Sequence, residues 1–104
     1  MNVVSWNTDE QGKFTESALR GKLESLGYSV TRYVYPSGTY FPNHTHDVDK
    51  IDGVVSGRFR MTTPEGEVVL EAGQYLEVPK GTVHSAEVVG DESVVSLDAI
   101  RRIR

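Results

Sequence analysis

The spacing of apolar side chains changes once along the chain, at Gly27. Before it, Leu19, Leu23 and Leu26 recur at i, i+4 and i+7, which predicts one amphipathic helix with a narrow leucine stripe. Thr15 is placed to cap its N-terminus, Glu16 lies in its first turn, and Gly27 stops it. Ahead of the helix, Val3, Val4 and Trp6 are the only obvious anchors, fitting an early strand or arm that packs Trp6 onto the body. After Gly27 the pattern alternates. Tyr28 to Tyr35 is rich in β-branched and aromatic residues and ends at Pro36-Ser37-Gly38. Further strands are expected over Thr39–Phe41, Lys50–Ser56, Arg58–Thr63, Glu67–Leu70, Gln74–Val78, His84–Val89 and Ser93–Ala99, with Pro64-Glu65-Gly66 closing a hairpin.

Short strands punctuated by Gly and Pro argue for a mainly β fold, an antiparallel sandwich or barrel carrying one N-terminal helix. The 104 residues fit a single domain: an arm and helix over 1–27, a barrel over 28–99 and a tail over 100–104. Apolar content is modest and charged content ordinary, as in a soluble globular chain. No apolar run reaches membrane length. The first residues lack a secretory pattern, so a cytoplasmic protein with no membrane partner is expected. The formal net charge of −4 argues against a nucleic-acid partner, and the one basic cluster, Arg101, Arg102 and Arg104, reads as a solvated chain end.

The chain has no cysteine, so disulfides, thiolate metal sites and cysteine nucleophiles are excluded. Any metal must sit on nitrogen and oxygen. Of three histidines, His44 and His46 stand two apart, and on an extended strand such residues share a face roughly 6.5 to 7 Å apart. His84 follows the turn-rich segment Val78-Pro79-Lys80-Gly81, which can return it to the same place. Imidazole suits divalent zinc, copper, iron and nickel.

Gly38, His44, His46 and Gly57 fall on the pattern G-x5-H-x-H-x3,4-E-x6-G, while Gly73, Pro79, Gly81 and His84 fall on G-x5-P-x-G-x2-H-x3-N. With these two motifs residues 30–99 resemble the cupin family. The resemblance implies a jelly-roll barrel (a double-stranded β-helix), a divalent metal (Fe, Mn, Ni, Cu or Zn) held by His44, His46 and His84, and a homodimer. Two positions depart from the family pattern: Lys50 stands where a glutamate usually supplies the fourth ligand, and Val88 stands at the final asparagine. A protonated lysine cannot ligate and repels a cation. Asp52, on the same strand face, could neutralise it; alternatively Asp49 or Asp52 could supply the missing oxygen ligand.

Tyr33, Tyr35, Tyr40, Phe41, Phe59 and Tyr75 are candidates for lining a cavity, although small barrels also fill their cores with such residues. Arg58 and Arg60 are candidate anion binders, with a solvated outer face the more ordinary reading. The resemblance implies a metal-dependent enzyme, dioxygenase-like, acting on a small organic molecule, with Lys50 next to the metal or substrate. The alternatives are a non-enzymatic or metal-free small-ligand-binding barrel, in which Lys50 would bind an anion, and a metal-free sugar isomerase or epimerase.

Overall fold

The computed structural model describes residues 1–102. The chain opens with strand β1 (Asn2–Ser5) and a single helical turn, α1 (Thr8–Gln11), capped by the Asn7 side chain, which accepts from the Glu10 amide. This turn was not legible from apolar spacing because it buries nothing. Helix α2 (Glu16–Ser25) follows as expected, with the Thr15 hydroxyl accepting from the Ala18 amide at 3.0 Å and Gly27 at a positive φ just beyond its end. The expected leucine stripe is shorter: Leu19 and Leu23 are fully buried, but Leu26 caps the C-terminus and is 40% exposed.

Eight further strands follow among the described residues: β2 (Tyr28–Tyr35), β3 (Tyr40–His44), β4 (Lys50–Ser56), β5 (Arg58–Thr63), β6 (Gly66–Leu70), β7 (Gln74–Val78), β8 (His84–Val89) and β9 (Val94–Arg101). They form a five-stranded sheet in the order β1-β7-β4-β9-β2 and a four-stranded sheet in the order β3-β8-β5-β6, antiparallel throughout. The two sheets face each other as a jelly-roll barrel.

Alternation divides the five-stranded sheet between two cores. Val54, Leu76, Val78 and Val94 point inward and meet Phe59, Met61, Ala86 and Val88 of the opposite sheet. Val88, at the motif's asparagine position, is therefore a packed interior residue. The alternate residues Ile51, Tyr75, Leu97 and Ala99 face outward, where Leu19 and Leu23 of α2 cover them. Gly53 lies directly under the helix, where a Cβ would be in ordinary contact with Leu19 and Leu23 at 3.4 and 3.5 Å. Arg32 on β2 pins the helix through Glu16 at 2.8 Å. Trp6 joins the same layer, edge-on to Phe14, with its indole N–H donated to the Gly12 carbonyl at 2.9 Å.

Two expectations change at the far end. Strand β9 runs to Arg101, whose guanidinium lies 5.7 Å from the Tyr28 ring centre, and Arg102 Nη2 donates to the Glu24 carbonyl at 3.1 Å. Arg101 and Arg102 thus dock on the helix layer rather than forming a free tail, and Arg102 meets the carbonyl-rich end of α2. Arg104 lies outside the described residues. Among the described residues, no helix is long and apolar enough to cross a membrane.

Candidate metal centre

The three histidines reach one end of the barrel interior by different routes. His84 begins β8 and is buried. His44 ends β3, directly opposite His84 in the β3–β8 ladder, after an irregularity between Phe41 and His44. His46 lies beyond the strand, so a shared strand face does not account for the His44–His46 pair. The loop is fixed instead by the Gly81 amide, which donates to the His46 carbonyl at 3.0 Å and ties the first motif to the second. The imidazole ring centres stand 4.8 Å (His44–His46), 4.2 Å (His44–His84) and 5.2 Å (His46–His84) apart. One ring nitrogen of each lies within 4.8 Å of the others.

Backbone carbonyls set the tautomers. His44 Nδ1 meets the Pro42 carbonyl at 2.6 Å and His84 Nδ1 meets the Thr82 carbonyl at 2.9 Å. A carbonyl only accepts, so each Nδ1 carries the hydrogen and each Nε2 keeps its lone pair. His46 Nε2 is buried with no hydrogen-bond partner among the described residues. Burial, the Lys50 ammonium and the other two imidazoles hold His46 below the usual histidine range. His84 is lowered chiefly by burial, against the opposing Thr82 hydrogen bond. Neutral imidazoles with free, convergent lone pairs are what a divalent transition metal requires. The three-histidine cluster is compatible with metal binding, and the donor set fits such an ion.

The wall beside them is charged. Lys50 and Asp52 point inward from β4, and Asp98 points inward from β9, directly opposite Asp52 in register. Lys50 Nζ lies 2.6 Å from Asp98 Oδ1, so its partner is Asp98 rather than Asp52. At that distance the ammonium serves as the charge-assisted partner of Asp98 Oδ1. Ser96, two residues earlier on β9, is buried beside the Tyr35 hydroxyl, to which it is hydrogen-bonded. Asp52 is fully buried and pushed up to about 6, mainly by desolvation and against the pull of Lys50, with Asp98 adding repulsion. Burial, with Asp98 and Asp52, likewise raises the Tyr35 phenol, against the opposing hydrogen bond with Ser96.

Asp49 lies elsewhere: its Oδ1 accepts from the Lys80 amide at 2.8 Å, bracing the loop that leads to His84, and it does not line the cavity. Asp52 does line it, yet stands outside the cluster of three close ligand nitrogens.

The cavity measures about 160 Å³. Opposite the charged wall it is closed by Phe41, Phe59, Met61 and Ala86, with Tyr35 stacked at 5.7 Å on Phe59. Of the other aromatic candidates, Tyr33 stacks on Tyr35 but is largely exposed, Tyr40 is exposed, and Tyr75 belongs to the outer core under α2. Arg60 pairs with Glu87 and Glu67, half-buried and away from the cavity. Asp98 and Ser96 were not singled out in the sequence. Their signal is the inward phase of β9, where Val94, Ser96 and Asp98 alternate with the outward Leu97 and Ala99.

Taken together, fold and site define a small double-sheet barrel with a three-histidine cluster at one end of its interior. The cupin domain profile matches residues 31–100, and the chain belongs to the cupin family. A nitrosourea synthase from Streptomyces achromogenes subsp. streptozoticus is 28% identical over 86 residues, covering 82% of this chain but only 18% of that enzyme. A conserved protein of unknown function from Streptococcus pyogenes superposes with a TM-score of 0.65 at 19% identity, over 75% of this chain and 67% of its own. A cupin superfamily protein from Desulfitobacterium hafniense does so with a TM-score of 0.64 at 14% identity, over 73% and 68%.

Proposed function

We propose that this cupin binds one divalent transition metal ion through His44, His46 and His84 and uses it to act on a small organic molecule in the adjoining cavity, with oxidation as the leading chemistry. The observation that carries this reading is the pair of Nδ1–carbonyl hydrogen bonds, which leave His44 Nε2 and His84 Nε2 free beside the unpartnered Nε2 of His46. A bound ion would supply Lewis acidity or redox capacity at positions left open by a three-ligand set. The chain's own residues do the rest. Phe41, Phe59 and Met61 exclude water, Tyr35 stays protonated as a donor, and Asp52 can hold or release a proton near neutral pH. The relative named as a nitrosourea synthase supports an enzymatic use of this barrel. The anion-binding alternative is weakened because the Lys50 charge is already matched by Asp98.

Elemental analysis of untagged protein purified without chelator tests the reading. About one equivalent of a transition metal, or uptake of one on titration, is expected; less than about a tenth of an equivalent with no uptake sinks it. The expected homodimer is supported by β2, an edge strand exposing Tyr33 and Val34, and a solution mass measurement checks it.

A further inference from the structure

The Lys50 side chain keeps donors in reserve beyond its ion pair. An ammonium carries three N–H groups, and among the described residues Asp98 is the one carboxylate within ion-pair reach of it. Lys50 is only 8% exposed and lines the cavity, so the remaining N–H groups face that space rather than bulk water. Buried donors without acceptors cost free energy that a visiting acceptor recovers. The balance of charge decides which acceptor is favoured. Without an ion Lys50 and Asp98 cancel and Asp52 makes the cavity, if anything, negative, so an anion gains nothing. A divalent ion on the three neutral imidazoles reverses this: its two charges and that of Lys50 outweigh Asp52 and Asp98 by one. The Lys50 charge is felt at both His46 and His84, so the ammonium and the histidine cluster border the same space. Across it, Phe41, Phe59 and Met61 offer an apolar wall.

We infer that the metal-loaded cavity takes a short-chain carboxylate, its head group accepting from the free N–H groups of Lys50 and its alkyl tail lying against Phe41, Phe59 and Met61. The inference rests on the metal reading above and adds to it the charge and size of the ligand. At about 160 Å³ the space suits a monoanion of a few carbons rather than a drug-sized molecule or nucleotide.

Calorimetric titration of butyrate and butanol into the full chain, once stripped with chelator and once carrying one equivalent of zinc, reads the preference. In the zinc form butyrate is expected to bind at least about tenfold more tightly than butanol, as charge-assisted hydrogen bonds require. In the stripped form the preference should fall below about threefold, because the net charge no longer favours an anion. Zinc alone attracts carboxylates, so two further readouts address Lys50. Its ammonium resonance, in protein carrying nitrogen-isotope-labelled lysine, should shift with butyrate and stay in place with butanol. Lys50→Met combined with Asp98→Leu removes the donor without changing the net charge of the cavity. At equal zinc content this double variant should bind butyrate about tenfold more weakly while butanol stays within about threefold. Butyrate binding no better than butanol in the zinc form, an equal preference in the stripped form, an unmoved Lys50 resonance, or a double variant that holds butyrate as tightly as the unaltered protein each overturns this inference and leaves the metal reading standing. A chain that takes up no zinc overturns the metal reading itself, and this inference with it.

Discussion

Asp52 and Asp98 stand directly opposite each other across β4 and β9, and Lys50, one inward position along β4, reaches diagonally to Asp98 at 2.6 Å. Two facing carboxylates would repel each other in the interior, and the single ammonium holds the arrangement together. Removing it should therefore be costly. Lys50→Met is expected to destabilise the protein by about 3 to 5 kcal/mol, the usual consequence of leaving a buried partner unpaired, measured by urea unfolding. Lys50→Met combined with Asp98→Leu should recover most of that loss. A double variant as unstable as the sum of its parts would show the pair to be uncoupled.

Lys50 also stands where the family pattern has a ligating glutamate. Lys50→Glu should raise zinc affinity about 10 to 100-fold in a competition titration, while lowering the stability of the metal-free protein by adding a third carboxylate to the cavity. An unchanged affinity would mean that the side chain at this position does not address the histidines.

The raised Asp52 carboxyl makes stability depend on pH in a defined direction. Its unfolded value is 3.8 and its folded value about 6, so ionising it costs the folded state. That stability is fully present below about pH 4 and is lost as pH rises through about 6, a change of up to about 3 kcal/mol. The lowered histidines His46 and His84 act oppositely, losing stability as pH falls below their unfolded range. The difference between Asp52→Asn and the unaltered protein isolates the carboxyl. The variant should gain relative stability from pH 4 to pH 7, and a flat difference across that range would refute the assignment.

The shortened leucine stripe gives a paired test in the helix. Leu23→Ala empties a fully buried site and should cost about 2 to 5 kcal/mol, whereas Leu26→Ala at the exposed cap should stay within about 0.5 kcal/mol. Thermal unfolding of the two variants compares them directly.

Gly57, the last residue of the first motif, has φ +82, and a Cβ there would collide with the Ser93 carbonyl oxygen. Gly57→Ala should destabilise by about 2 kcal/mol or more, because both the backbone strain and the clash must be relieved. Gly38→Ala, at a similar φ but in open space, carries the strain alone and should cost less in the same denaturation series.

Much of this architecture was legible before any coordinates. The change of period at Gly27 separated helix from strands, and the spacing of Gly38, His44, His46 and Gly57 against Gly73, Pro79, Gly81 and His84 placed three histidines in one pocket. Motif spacing works because each turn fixes the chain locally. The partner of Lys50 was not legible. Asp49 and Asp52 are its neighbours in sequence, but Asp98 arrives through the register of β9 against β4, a long-range pairing that no local spacing encodes. An i, i+2 spacing suggests a shared strand face for His44 and His46, but the Gly81 amide holds His46 in a loop beyond β3. The tautomers of His44 and His84 likewise depend on where carbonyls two residues upstream point, which only a folded backbone decides.

Strand β4 sends Lys50, Asp52 and Val54 into the barrel and Ile51 and Gly53 toward α2. One reading frame therefore serves chemistry and packing at once. A single-residue insertion or deletion here would carry the charges into the leucine layer and the isoleucine into the pocket, so the strand can vary by substitution but not in length. Diversification of the pocket is confined to exchanging side chains at fixed positions, as the lysine in place of glutamate illustrates.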